Sequence, residues 1–139
     1  MSPAPGWYTY TFMGAGPTLL VEAMPHAETV AVGGWVRGGS AHEAGEVAGI
    51  THLLEHLLLR RCGERTPEEI SELIDSLGGA VDAFTTREAC AVTAHVPAER
   101  FDEALELVLD ALFRPGLRAD EYREVAERQV RLSDLTDAP

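Results

Sequence analysis

The chain has 139 residues, 45% of them hydrophobic and 24% charged, which suits one folded domain or part of a larger one and excludes a disordered chain. Its formal net charge of −12 argues against nucleic acid or an anionic membrane as partner and favours a basic ligand or peptide. All eleven basic residues are arginine, and lysine and asparagine are absent, which reads as the coding bias of a high-GC bacterial genome.

The opening stretch MSPAPGWYTYTF lacks the charged start and apolar centre of a signal peptide. No apolar run approaches the ~20 residues that span a bilayer. The expectation is a soluble, cytoplasmic protein with no membrane segment. Cys62 and Cys90 form no motif and are expected as free thiols in a reducing compartment.

WYTYTF (Trp7–Phe12) and TLLVEAM (Thr18–Met24) read as strands joined by a Gly/Pro loop. TVAVGGWVRGG (Thr29–Gly39) is a third strand, weakened at Gly33 and Gly34. A polar connection then leads to a helix expected from about Ala48 to Arg61, with Ile50, Leu53, Leu54, Leu57 and Leu58 on one stripe. The next helix is punctuated by Thr66 as N-cap, Pro67 at the first position and Glu69 completing a capping box. Gly78 and Gly79 stop it. AVDAF and EACAVTAHV form an antiparallel pair, joined at Thr85–Arg87. A helix from near Ala98 ends at Arg114–Gly116, and a charged helix runs from about Ala119 to Leu132 or beyond. The order is β-β-β-α-α-β-β-α-α, an α+β fold with a mostly antiparallel sheet.

The first helix carries THLLEH, Thr51–His56. His52 and His56, four residues apart, project about 40° from one another on one face. Glu55 lies on the same side. Two imidazoles one turn apart can share a Zn2+ at about 2.0–2.1 Å each. A carboxylate beside them can take a proton from an activated water and deliver it to a leaving amine. The order H-x-x-E-H is the inverted zinc-protease signature. The competing reading is a pair of core histidines hydrogen-bonded to Glu55. Closure of a structural zinc site by Cys62 is disfavoured, because six residues after His56 it lies about 240° round the helix.

The surrounding segments carry a resemblance. GSAHEAGEVAGITHLLEH, GGAVDAFTTRE and ALELVLDALFRPGLRADEYREVAERQVRLSDLTDAP resemble the pitrilysin, insulin-degrading enzyme and mitochondrial processing peptidase family. The resemblance runs from about Trp7 to Pro139. It implies a mostly antiparallel mixed sheet with helices packed on one side, and zinc-dependent endopeptidase chemistry. It implies His52 and His56 as zinc ligands and Glu55 as general base. The family's third ligand is a glutamate seven residues after the glutamate of an E-R pair; counting from Glu127 lands on Asp134. Glu127 is then the supporting carboxylate, or the ligand itself if the shorter Asp134 does not reach. The family's substrate-pairing edge strand falls on Asp82, Ala83 and Phe84, where Asp82 replaces the family's asparagine. An aspartate there favours a basic residue in the peptide.

Family domains continue beyond this length, so the resemblance implies that residues 1–139 are the N-terminal portion of a catalytic domain, incomplete at its C-terminal end. It implies a peptide substrate and completion by a homologous subunit or the remaining half. The alternative function is a non-catalytic peptide-binding or scaffold subunit.

Overall fold

The structure is a computed structural model that describes residues 6–11 and 16–136, with backbone alone for residues 7, 9, 11 and 128–136. Among the described residues, five strands and four α-helices follow in the order the sequence predicts: β1 (Gly6–Thr11), β2 (Thr18–Ala23), β3 (Thr29–Arg37), α1 (Ile50–Leu58), α2 (Pro67–Ser76), β4 (Ala80–Thr85), β5 (Ala89–Pro97), α3 (Phe101–Phe113) and α4 (Ala119–Thr136). Among the described residues no helix is long and apolar enough to cross a membrane.

The expected single mixed sheet is divided in two. β1 and β2 form a two-stranded ribbon, and the other strands form a sheet in the order β3-β5-β4. Every described ladder is antiparallel. This leaves the outer edge of β4 without a neighbouring strand among the described residues.

The sheet alternates. Val32, Ala94 and Val81 stand in register, as do Gly34, Val92 and Ala83, so they share one face. That face joins Leu58 of α1, Ile70 of α2, Leu77 after it, and Ala104, Leu107, Val108 and Ala111 of α3 in one buried cluster. α3 packs closely over Gly34, where a Cβ would strike Leu112. On the opposite face Trp35 is 63% exposed, while its register partner Ala91 is buried.

The capping box of α2 forms as the sequence predicts. Thr66 N–H donates to Glu69 Oε2 at 2.8 Å, and Glu69 N–H donates to Thr66 Oγ1 at 3.3 Å. These bonds hold the Glu69 carboxyl below its ordinary range. Left-handed Gly78 (φ +68°) turns the chain out after α2.

α1 is shorter than the expected span of about Ala48 to Arg61, for a reason at each end. Gly49 is left-handed (φ +90°) and serves as N-cap, with a 3-10 turn over Gly45–Val47 before it. After Leu58 the chain leaves the helix at Leu59, Arg60 N–H closes a turn on the Leu57 carbonyl at 3.1 Å, and Cys62 pairs with Pro115 just before left-handed Gly63. Gly63 N–H donates to the Arg114 carbonyl and Gly116 N–H to the Arg61 carbonyl, so the end of α1 is fastened to the α3–α4 connection.

Candidate metal centre

α1 presents two faces. Leu57 and Leu58 are buried, while His52 and His56 are exposed and Glu55 is half-buried. The Nε2 atoms of His52 and His56 lie 3.3 Å apart, with ring centroids 4.8 Å apart and planes crossed at 82°. Two nitrogens sharing one tetrahedral zinc at about 2.05 Å each would be about 3.3 Å apart. Glu55 Oε2 lies 3.9 Å from His52 Nδ1. His52, Glu55 and His56 each offer a ligand atom, and these atoms lie within 4.8 Å of one another. The donor set fits a zinc ion held by two imidazoles beside a carboxylate. The reading of both histidines as buried core residues is overturned by their exposure.

The remaining candidates lie on two other elements. Asp134 lies on α4, its backbone helical; its side chain is outside the described residues. Glu127 is exposed on α4 and is not a member of the His52–Glu55–His56 cluster. Asp82, Ala83 and Phe84 lie on the edge strand β4. Asp82 is exposed. Ala83 packs its side chain against the core, so it offers a ligand only its backbone.

α4 reaches α1 through charges. Arg60 Nη2 donates to Glu124 Oε2 at 2.7 Å, and Arg61 Nη2 donates to Glu121 Oε1 at 3.3 Å. The pairing was readable only in hindsight, as adjacent arginines facing an i,i+3 pair of glutamates.

Glu43 holds the start of α1. Its Oε2 accepts from Gly49 N–H at 2.7 Å and its Oε1 from Thr51 N–H at 2.8 Å. The Thr51 hydroxyl and these two amides hold the Glu43 carboxyl below its ordinary range. Thr51 is buried, and its carbonyl accepts from Thr85 Oγ1 at 3.2 Å. Sequence reading marked Glu43 only as part of a motif and gave Thr51 and Thr85 no role. The signal for them was the glycine at the N-cap, which has no side chain to satisfy the first amides.

Behind α1 lies a buried charge. Asp110 is 3% exposed and accepts from Arg65 Nη1 and Arg114 Nε, each at 2.9 Å, and also from Arg114 Nη2. Cys62 lies beside it. Cys62 and Cys90 are both free and buried, as expected. Burial, and then the Asp110 charge, push the Cys62 thiol up to about 11.

Comparison with known proteins agrees with this geometry. The family model described as Insulinase (Peptidase family M16) matches residues 18–137. An uncharacterized zinc protease of Mycobacterium leprae is 34% identical over 125 residues, covering 90% of this chain and 28% of its own. An uncharacterized zinc protease of Bacillus subtilis is 32% identical over 127 residues, 89% of this chain and 31% of its own. The probable mitochondrial-processing peptidase subunit beta of Arabidopsis thaliana is 31% identical over 127 residues, 91% of this chain and 24% of its own. In fold, the chain is similar to the crystal structure of a protease from Helicobacter pylori, with a TM-score of 0.80 at 22% identity over 93% of this chain and 32% of that one. The chain thus spans less than a third of the length of these curated relatives. On the family match over residues 18–137, the chain belongs to the insulinase peptidase family, M16.

Proposed function

We propose that this chain is the zinc-bearing N-terminal portion of an endopeptidase catalytic domain, cutting short or unstructured peptides. The observation that carries the reading is the 3.3 Å approach of two exposed imidazole nitrogens with Glu55 beside them. Family membership supports it. His52 and His56 would hold the ion through Nε2, with Asp134 as third ligand and Glu127 as its support or substitute. Zinc, when bound, supplies Lewis-acid activation of water and of the scissile carbonyl.

The chain's own groups supply the rest. Glu55 takes a proton from the attacking water at a carboxylate oxygen and returns it to the leaving amine. The edge of β4 at Asp82–Phe84, which has no neighbouring strand among the described residues, offers main-chain donors and acceptors to an extended peptide, a strand-addition mode. The Asp82 carboxylate favours a basic side chain on that peptide, in keeping with the net charge of −12. The edge strand lies beside the metal helix, because Thr85 of β4 is bonded to Thr51 of α1.

In our reading the activity needs a homologous subunit or the remaining half. One relative is named as a beta subunit. An apolar cavity of about 560 Å3 between α1 and α4, lined by Ile50, Leu53, Leu54, Leu57, Leu117 and Tyr122, also supports a partner surface. The free, buried thiols fit a reducing, cytoplasmic compartment. The alternative is a peptide-binding scaffold subunit without turnover.

Glu55→Gln separates the two. The peptidase reading requires zinc binding retained and cleavage of unstructured basic peptides abolished, measured in the full-length or partner-completed protein. Cleavage that survives the substitution, or peptide binding without turnover that is indifferent to chelator, rejects it.

A further inference from the structure

The two histidines of α1 are not held equally. His56 is followed by Leu57 and Leu58, which are 5% and 3% exposed and lock the second half of the helix into the core. His52 belongs to the first turn, where Thr51 is the one buried residue. A nine-residue helix has little stability of its own, so the direction of its first turn is set by whatever holds its end.

That end lacks an ordinary cap. Gly49, the N-cap, has no side chain, and the helix begins with open amides. Glu43 closes two of them from six and eight residues upstream, one carboxylate oxygen on Gly49 and the other on Thr51. On its carbonyl side, Thr51 is held by the hydroxyl of Thr85.

Both supports are rooted in the same place. Thr85 is the last residue of β4 and leads into the β4–β5 turn. The segment before Glu43 is tied to that turn: Ser40 N–H donates to the Thr86 carbonyl at 3.2 Å and Ala41 N–H to the Arg87 carbonyl at 2.8 Å. Gly39 is pressed so closely on residues 86–89 that a Cβ would collide with the Thr86 carbonyl oxygen.

We propose that Glu43 and Thr85 are positioning residues that clamp Thr51 from both sides and so set His52 against His56. The inference rests on the zinc reading above. Neither residue touches the metal or the peptide bond in this scheme. Each acts through the first turn of α1, and the hairpin turn at Thr86–Glu88 carries both.

The test is zinc affinity of the full-length or partner-completed protein, read by competition with a chromophoric chelator. It compares the parent with Glu43→Ala, Glu43→Gln and Thr85→Val, with His52→Ala as reference, at a temperature where each metal-free variant is folded by circular dichroism. Glu43→Ala is expected to bind about tenfold more weakly, the low end of what losing an outer support costs a metal site. Glu43→Gln keeps one acceptor oxygen and is expected between the parent and Glu43→Ala. Thr85→Val keeps the shape of the side chain and is expected to lose a few-fold. With Co2+ in place of zinc, the visible ligand-field bands should move in Glu43→Ala, because they report ligand angles rather than global stability. If Glu43→Ala does not fold, Glu43→Gln and Thr85→Val decide the matter alone. Parent-like affinity and parent-like cobalt bands in the folded variants overturn the clamp while leaving the zinc reading standing. A parent that binds no zinc, or His52→Ala binding as the parent does, removes the zinc reading and the clamp with it.

Discussion

Arg60, two residues past the end of α1, donates to Glu124 of α4 at 2.7 Å, tying the segment after the histidine helix to the helix that carries Asp134. Beside it Arg61 pairs with Glu121. The two contacts differ in exposure. Glu124 is 67% exposed, whereas Glu121 is 12% exposed. An exposed pair contributes little, because water and salt screen it. Double-mutant cycles on chemical unfolding should therefore give a coupling below about 0.5 kcal/mol for Arg60–Glu124 and nearer 1 kcal/mol for Arg61–Glu121. Equal couplings would mean that burial does not rank these pairs.

Asp110 should matter far more. Its carboxylate is buried and takes hydrogen bonds from both Arg65 and Arg114, and its partners come from the α1–α2 connection and the end of α3. Asp110→Ala removes charge-assisted bonds and leaves a void beside Cys62. The expected loss is about 2–3 kcal/mol, read as a lowered urea midpoint with unchanged slope. A loss below about 0.5 kcal/mol would show that the arginines reach water freely once the carboxylate is gone.

The contrast between α2 and Asp110 explains what the sequence could show. α2 was legible to the residue, because Thr66, Pro67 and Glu69 are neighbours whose bonds are local. The His52–Glu55–His56 cluster was legible for the same reason, since four residues of helix bring the ligand atoms together. Asp110 was not legible. A lone acidic residue in a helix usually reads as solvated, and Arg65 reaches it from 45 residues away. The start of α1 was misjudged because left-handed Gly49 looks like any other glycine in a sequence, and its end because the pairing of Cys62 with Pro115 is long-range. The division of the sheet depends on which strands meet, and alternation within a strand says nothing of that.

Cys62 gives an alkaline prediction. Its folded thiol keeps its proton until pH approaches about 11, against 9.0 ordinarily. Above pH 9.0 the unfolded thiol ionises while the folded one does not, so the unfolded state binds fewer protons. Stability then falls as pH rises from 9.0 towards 11. Unfolding free energies across that window should fall less steeply in Cys62→Ala than in the parent. Ellman's reagent near neutral pH should label Cys62 only as fast as the chain opens. Rapid labelling of the folded chain would contradict its burial.

Both candidates for the proposed third ligand lie on α4. Glu127 and Asp134 are seven residues apart, about two turns along one face, so they cannot both reach the same ion by the same path. The spacing implied by the family resemblance is what makes Asp134 the proposed ligand and gives Glu127 the outer role. Removing a direct ligand should cost more than removing a support, and supports alone are worth about ten- to a hundredfold in affinity. Asp134→Ala is therefore expected to weaken zinc by more than about a hundredfold and Glu127→Ala by about tenfold, measured by chelator competition on the folded chain. The reverse order would assign the coordination to Glu127. Loss of neither would place the third ligand outside α4 and require the completing half to supply it.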